Sequence, residues 1–319
     1  MTDAHPASHP APSSYVLAAP RHPHYVRVLS IAGSDSGGGA GIQADLKTFS
    51  ALGCYGMTAI TAITAQNTQG VRAIHGIPAA MLGAQIDAVM QDIGVDAVKI
   101  GMLSTPDAVR VVADSIRRYG VTQVVLDPVM VATSGDRLIA EETAQALVQA
   151  LFPLASLITP NLDEAGWLIQ QTLSTTEAMQ AAARQLQAMG AANVLVKGGH
   201  LPGNEVVDVL LLQDGSTRQL ASPRIATHNG HGTGCTLSSA IAAYLAQGVA
   251  LPEAVQAGRN YILGAIAAGA HVYTGQGQGP LNHGLPRVYN GFAHKAHRQA
   301  LGSGWPWLKT ITPLNCWHK

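Results

Sequence analysis

Two hydrophobic periods alternate along the middle of the chain, and this alternation constrains the fold more than any other feature. Residues 95–100 read as a strand. Thr105 and Pro106 follow as an N-cap and a first-turn proline, opening a helix in which Val109, Val112 and Ile116 recur on one face. The unit then repeats, with a strand over 121–126 ending at Asp127, a helix over 140–151 and a strand over 156–158. After it, Thr159-Pro160-Asn161-Leu162-Asp163-Glu164 opens another helix. Strands separated by helices of this length predict a three-layer α/β fold, a mostly parallel central sheet with helices on both faces.

The flanks fit the same plan. Residues 25–32 read as a strand that stops at the glycine-rich stretch Gly33–Gly41, before a helix over about 42–52. Five glycines in nine residues can cradle phosphate through backbone amides, or can simply make a flexible turn; neither a P-loop nor a dinucleotide spacing is present. Met57 to Ala65 is a largely apolar strand ending at Gln66-Asn67-Thr68, and 193–196 is a strand leading into Lys197-Gly198-Gly199-His200. Val206–Leu212 and Ser216–Leu220 flank Asp214-Gly215 as a hairpin. Two helices, about 233–247 and 252–269, close the pattern. In open α/β sheets ligands lie beyond the carboxyl ends of the strands, so Asp35, Asp45 and Gln66 are placed to share one crevice. Asp45 as a solvated helix residue and Gln66 as a turn residue are the structural alternatives.

The turn from His228 to Thr236, running into an apolar helix, has the makings of an anion site. Gly232 and Gly234 allow unusual dihedrals and close backbone approach, and the free amides and dipole of the helix start suit a phosphoryl group. Cys235 stands at that helix N-terminus, where the positive potential is expected to favour thiolate over thiol and make the sulfur a base or nucleophile. A glycine-capped helix with an inert cysteine is the alternative. Asn161 with Glu164 reads as a capping-box variant or as a carboxylate placed to orient metal-bound water; Ser174 with Glu177 reads as a cap only.

Composition narrows the partners. Lys plus Arg and Asp plus Glu each number 19, giving zero net charge, and no basic stripe offers a surface to nucleic acid or to an acidic membrane. Small molecules are therefore the expected partners. Cys54, Cys235 and Cys316 are odd in number and far apart, which fits free thiols in a reducing cytoplasm. Residues 1–24, rich in Pro, Ala, Ser and His, are expected to be a disordered tail, with His5, His9, His22 and His24 solvated and not metal ligands. A single domain is expected over 25–287, with a C-terminal extension over 288–319.

Taken in order, several stretches together resemble the hydroxymethylpyrimidine/phosphomethylpyrimidine kinases of thiamine biosynthesis. They are Ala32–Asp35, Gly41–Phe49, Ala65–Thr68, Lys99–Leu103, Leu126–Met130, Thr159–Asn161, Lys197–His200, His231–Thr236 and Gly279–His283. The resemblance covers roughly residues 26–283. It implies the ribokinase-like fold and phosphorylation by ATP of 4-amino-5-hydroxymethyl-2-methylpyrimidine, then of its monophosphate, with pyridoxal kinase activity as the alternative on the same fold. By that resemblance Asp45 and Gln66 hydrogen-bond the aminopyrimidine edge, and Gly33, Met102 and Val129 shape the pocket around the ring. Cys235 is the base, and the backbone of Gly232, Thr233, Gly234 and Cys235 stabilises the transferring group. Lys197 and Thr233 contact ATP phosphates, and Asn161 with Glu164 positions Mg²⁺ through water. Relatives are commonly homodimers. The chain departs from the family at Ser36-Gly37-Gly38, where many members have Pro-Ser-Gly, and at His228, where lysine is common.

Overall fold

The computed structural model describes residues 24–130 and 139–284. The expectations for the N-terminal tail with His5, His9 and His22, for Cys316 and for the extension from residue 288 lie outside the described residues. In chain order the elements are β1 (Arg27–Asp35), α1 (Gly41–Ala51), β2 (Tyr55–Asn67), β3 (Gly70–Gly76), α2 (Ala79–Asp92), β4 (Ala97–Ile100) and α3 (Pro106–Tyr119). Next come β5 (Val124–Leu126), α4 (Glu141–Ala150), β6 (Leu157–Ile158), α5 (Leu162–Ile169), α6 (Thr176–Ala188) and β7 (Val194–Val196). The described chain closes with β8 (Glu205–Leu211), β9 (Thr217–Pro223), α7 (Thr233–Ala246) and α8 (Leu251–Gly269).

The strands form one sheet in the order β3-β2-β1-β4-β5-β6-β7-β8-β9. β2, β1, β4, β5, β6 and β7 run parallel, β3 is antiparallel to β2 at one edge, and at the other β8 is antiparallel to both β7 and β9. This is the expected ribokinase-like, three-layer architecture.

The strands read as continuous apolar runs because both faces are covered, and the period of two sorts their side chains between two cores. Val28, Ala97, Val125, Leu157 and Leu195 face a layer built from Phe49 and Leu52 of the first helical segment, Leu237 and Ile241 of α7, and Val255 and Ile262 of α8. Leu29, Ile31, Val98, Ile100, Leu126 and Ile158 face Leu82, Ile86, Val109, Val112, Ile116, Leu147 and Met179 from α2 to α6. Each fully buried Leu, Ile or Val side chain stabilises the fold by about 1.5–3 kcal/mol.

Local signals account for most boundaries. Thr105 Oγ1 accepts from the Ala108 amide at 3.2 Å, Pro106 fills the first turn, and Gly120 ends α3 in the left-handed region. The Asp214-Gly215 hairpin forms as read, with Gly215 at φ +83°. The cap of α6, however, is Thr175 and not Ser174: its hydroxyl accepts from Ala178, which leaves Glu177 in the first turn without the reciprocal bond. β3 and α2 escape the periodicity because β3 is an exposed edge strand, while α2 starts at Pro78 with no side-chain cap and buries only Leu82 and Ile86. Among the described residues no helix is long and apolar enough to cross a membrane.

Candidate active site

The carboxyl ends of the parallel strands and the turn before α7 enclose a cavity of about 670 Å³. Sheet order arranges its lining. Gly33, Gln66 and Met102 come from β1, β2 and the segment after β4; Asp127, Asn161, Glu164 and Lys197 follow β5, β6 and β7; Val206, Pro223 and Ile262 belong to β8, β9 and α8. Val129, Thr233, Gly234 and Cys235 also line it, so the expected site residues other than Asp45 meet around one space. Gly33 sits at a register shift between β1 and β2, and a Cβ there would come within 3.1 Å of the Met102 methyl group. This close fit shapes one wall of the cavity.

The turn before α7 is held in a shape that other residues could not adopt. Gly232 is the N-cap at φ +85°, and a Cβ on it would lie 1.8 Å from the Gly39 carbonyl oxygen. No side chain caps the helix, and among the described residues the amides of Gly234 and Cys235 have no acceptor. Thr233 Oγ1 donates to the Gly230 carbonyl at 2.7 Å, bracing the turn from within. At Gly234 a Cβ would stand 3.1 Å from Lys197 Nζ, so an ammonium group and two free helix-start amides border the same volume. Backbone donors, helix dipole and a cation in one place make an anion site.

Lys197 Nζ donates to Asp127 Oδ1 at 2.7 Å, and Thr159 Oγ1 donates to the same oxygen at 2.9 Å. Burial works against both charges of the Asp127–Lys197 pair. Their attraction prevails, with Lys99 adding to it at Asp127, so the carboxyl titrates lower and the ammonium higher than usual. Glu164 completes the capping box, accepting from the Asn161 amide at 2.7 Å while its own amide donates to Asn161 Oδ1 at 2.8 Å. The cap and the cavity wall are thus the same residues. Burial pushes the Glu164 carboxyl up to about 7.

Cys235 corrects one expectation. Burial pushes its thiol up to about 11, the nearby negative charges of Asp45 and Asp127 adding to the rise; Lys99 and the Gly41 amide oppose it without reversing it. The resting side chain is therefore a thiol, and any thiolate formed there is a strong base.

Asp45 corrects another. It is fully buried and absent from the cavity lining, and its carboxylate is committed. Lys99 Nζ donates to both of its oxygens at 2.9 and 3.0 Å, Ser30 to one at 2.5 Å and Ser239 to the other at 2.7 Å. Asp45 stands behind the site as the counter-charge of Lys99 and does not reach a ring in the cavity. Lys99 was not singled out in the sequence, although a lysine between Val98 and Ile100 in a strand needs a buried partner and could have signalled it. Asp127, seen only as a strand end, and His231, whose Nε2 lies 2.8 Å from Asp35 Oδ2, also belong to the site's framework.

A sequence model of the phosphomethylpyrimidine kinase family matches residues 35–282. The hydroxymethylpyrimidine/phosphomethylpyrimidine kinase of Rhizobium meliloti (strain 1021) is 54% identical over 259 residues, covering 80% of this chain and 96% of its own. A crystal structure of phosphomethylpyrimidine kinase from Clostridium difficile 630 superposes with a TM-score of 0.67 at 43% identity, over 76% of this chain and 99% of that one. An ADP complex of Bacillus subtilis pyridoxal kinase gives a TM-score of 0.77 at 40% identity, over 83% and 100%. The chain therefore belongs to the phosphomethylpyrimidine kinase family, and is a phosphotransferase of the ribokinase-like fold.

Proposed function

We propose that the protein transfers the γ-phosphoryl group of ATP to the hydroxymethyl oxygen of 4-amino-5-hydroxymethyl-2-methylpyrimidine, and then phosphorylates the monophosphate to the diphosphate used in thiamine biosynthesis. The observation that carries this reading is the pairing of two unclaimed amides, Gly234 and Cys235, with the Lys197 ammonium on the wall that also presents the Cys235 sulfur. A transferring phosphoryl group needs just such preorganised donors, and the hydroxyl that attacks it needs a base. As the new oxygen–phosphorus bond forms and the bond to ADP breaks, the hydroxyl proton passes to the sulfur of Cys235. Before this step the thiol must release its own proton to solvent; burial makes that release costly, and the Lys99 charge and the Gly41 amide reduce the cost without removing it.

In this reading Lys197 and Thr233 hold the nucleotide phosphates, and Gln66, Gly33, Met102 and Val129 hold the ring. Gln66 Oε1 accepts from Thr64 Oγ1 at 3.1 Å, which orients its amide. Among the described residues no three His, Cys, Asp or Glu side chains gather as a metal cage. Asp127 and Glu164 instead offer two carboxylates on the cavity wall, a donor set that suits Mg²⁺ because this ion keeps its waters and takes phosphate oxygens. Asn161 and Glu164 would hold it through water. When bound, Mg²⁺ neutralises phosphate charge.

Pyridoxal kinase activity is the second reading, favoured by the superposition on a pyridoxal kinase. Phosphate transfer from ATP, measured side by side with the pyrimidine alcohol, its monophosphate and pyridoxal, tests both. Preference for the two pyrimidines supports the first reading, and preference for pyridoxal replaces it. A cytoplasmic homodimer in which residues 25–287 form the kinase domain completes the proposal, with sedimentation as the check on its assembly.

A further inference from the structure

The carboxylate of Asp35 joins two segments 196 residues apart. Oδ1 accepts from the Gly37 amide at 2.8 Å, and Oδ2 accepts from the amides of Gly39 at 3.1 Å and Ala40 at 2.8 Å and from Nε2 of His231 at 2.8 Å. Burial opposes the charge, but His231 and these amides outweigh it and hold the carboxyl below its usual range. Helix α1 has no side-chain cap of its own, so Asp35 provides the anion at its start from outside the helix.

Packing reinforces the tie. The His231 ring lies against Gly39, where a Cβ would come within 2.4 Å of Cδ2, and the next residue, Gly232, abuts the Gly39 carbonyl. His231 is itself anchored by donating its amide to the Gly279 carbonyl at 3.1 Å. Gly41, the first residue of α1, is pinned at φ +54° beneath the Gly33 carbonyl, and its amide is directed at the Cys235 sulfur. The starts of α1 and α7 thus meet at the one cysteine, and the side-chain hydrogen bond between Asp35 and His231 spans them.

We propose that Asp35 and His231 are positioning residues whose bond clamps the start of α1 to the start of α7 and thereby holds the Gly41 amide on the sulfur of Cys235. A donor on the sulfur favours thiolate over thiol, so the clamp increases the fraction of Cys235 able to accept a proton. Its catalytic consequence rests on Cys235 acting as the base; its effect on the sulfur does not. Without the imidazole the glycine loop keeps its amide bonds to Asp35 but loses its tie to the turn before α7.

The test compares His231→Ala, His231→Gln and Asp35→Asn with the parent protein. Alkylation of Cys235 by iodoacetamide is followed against pH, with the modified residue located by peptide mass mapping, and kcat and KM are measured for transfer from ATP. His231→Ala and Asp35→Asn should move the Cys235 alkylation midpoint to higher pH and lower kcat by roughly tenfold or more, with KM for ATP within a few-fold. His231→Gln, which keeps an N–H within reach of Asp35, should restore most of both. Asp35→Asn and His231→Gln preserve side-chain volume, so the comparison survives if His231→Ala does not fold. Alkylation profiles that coincide with the parent's in every folded variant overturn the clamp. A shifted profile in proteins that transfer no phosphate, the parent included, supports the clamp and overturns the kinase reading instead.

Discussion

Lys197 Nζ lies 2.7 Å from Asp127 Oδ1, so an ammonium from the end of β7 reaches over β6 to neutralise a carboxylate from the end of β5. Glu164, 4.0 Å from the same ammonium, receives too little of its charge to offset burial beside Asp127. Two carboxylates on one wall therefore differ in protonation. Asp127 is an anion throughout the neutral range, and Glu164 titrates at about 7.

Glu164 makes the ligand-free protein's stability depend on pH in a predictable direction. Its folded value is raised from 4.5 to about 7, so its contribution is fully present below 4.5 and is lost as pH rises through 7. Glu164→Gln has no such proton to lose. Its stability relative to the parent, measured by urea denaturation without nucleotide, should rise between about pH 5 and pH 8 by up to roughly 3 kcal/mol. A difference that stays constant over that range contradicts the assignment.

Gly232→Ala should be severe. The left-handed backbone and the 1.8 Å approach to the Gly39 carbonyl oxygen leave no room for a methyl group. A stability loss of roughly 2–4 kcal/mol is expected, with phosphate transfer lost in the fraction that folds. Native turnover in this variant would mean that the turn is not held as described.

Gln66→Leu should weaken pyrimidine binding by about 1–3 kcal/mol and leave ATP binding nearly unchanged, because a ring edge left without its partner bears the whole loss. Calorimetry with each ligand separately decides it. Equal losses for both ligands would assign Gln66 to the fold, through Thr64 and the neighbouring His231.

Removal of residues 1–24 should leave transfer activity nearly unchanged, since the family match begins at residue 35 and β1 at Arg27. A large loss of kcat in the folded truncation would place part of the tail in the working enzyme.

The sheet and most of its helices were legible in the sequence because a covered parallel sheet writes itself as apolar runs bounded by caps. Thr105, Asn161 and Gly120 mark helix ends by the chemistry of their own side chains or by the lack of one. β3 and α2 were not legible, since an exposed edge strand and an uncapped helix with two buried residues leave neither period clear. Gly232 to Cys235, Lys197 and Gln66, expected at the site from motif and position, all line the cavity. The role of Asp45 was not legible. A carboxylate four residues into a helix reads the same whether it faces a ligand or a buried lysine 54 residues away, and only the register of β4 against β1 brings Lys99 to it. The thiolate expected at Cys235 was misjudged for a related reason: a helix start is legible in sequence, while the burial that pushes the thiol up is not.

The central claim is that Cys235 takes the substrate's proton, and the rate of the chemical step in Cys235→Ala tests it most directly. Single-turnover transfer from ATP to the pyrimidine alcohol should slow by about 10² to 10⁴, the usual worth of a well-placed base, while both ligands bind within a few-fold of the parent because the amides of Gly234 and residue 235 remain. Cys235→Asp should recover part of the rate, and Cys235→Ser, too weak a base near neutral pH, should not. A Cys235→Ala enzyme whose chemical step runs at the parent's rate would contradict the account and make the cysteine a packing residue of the anion site.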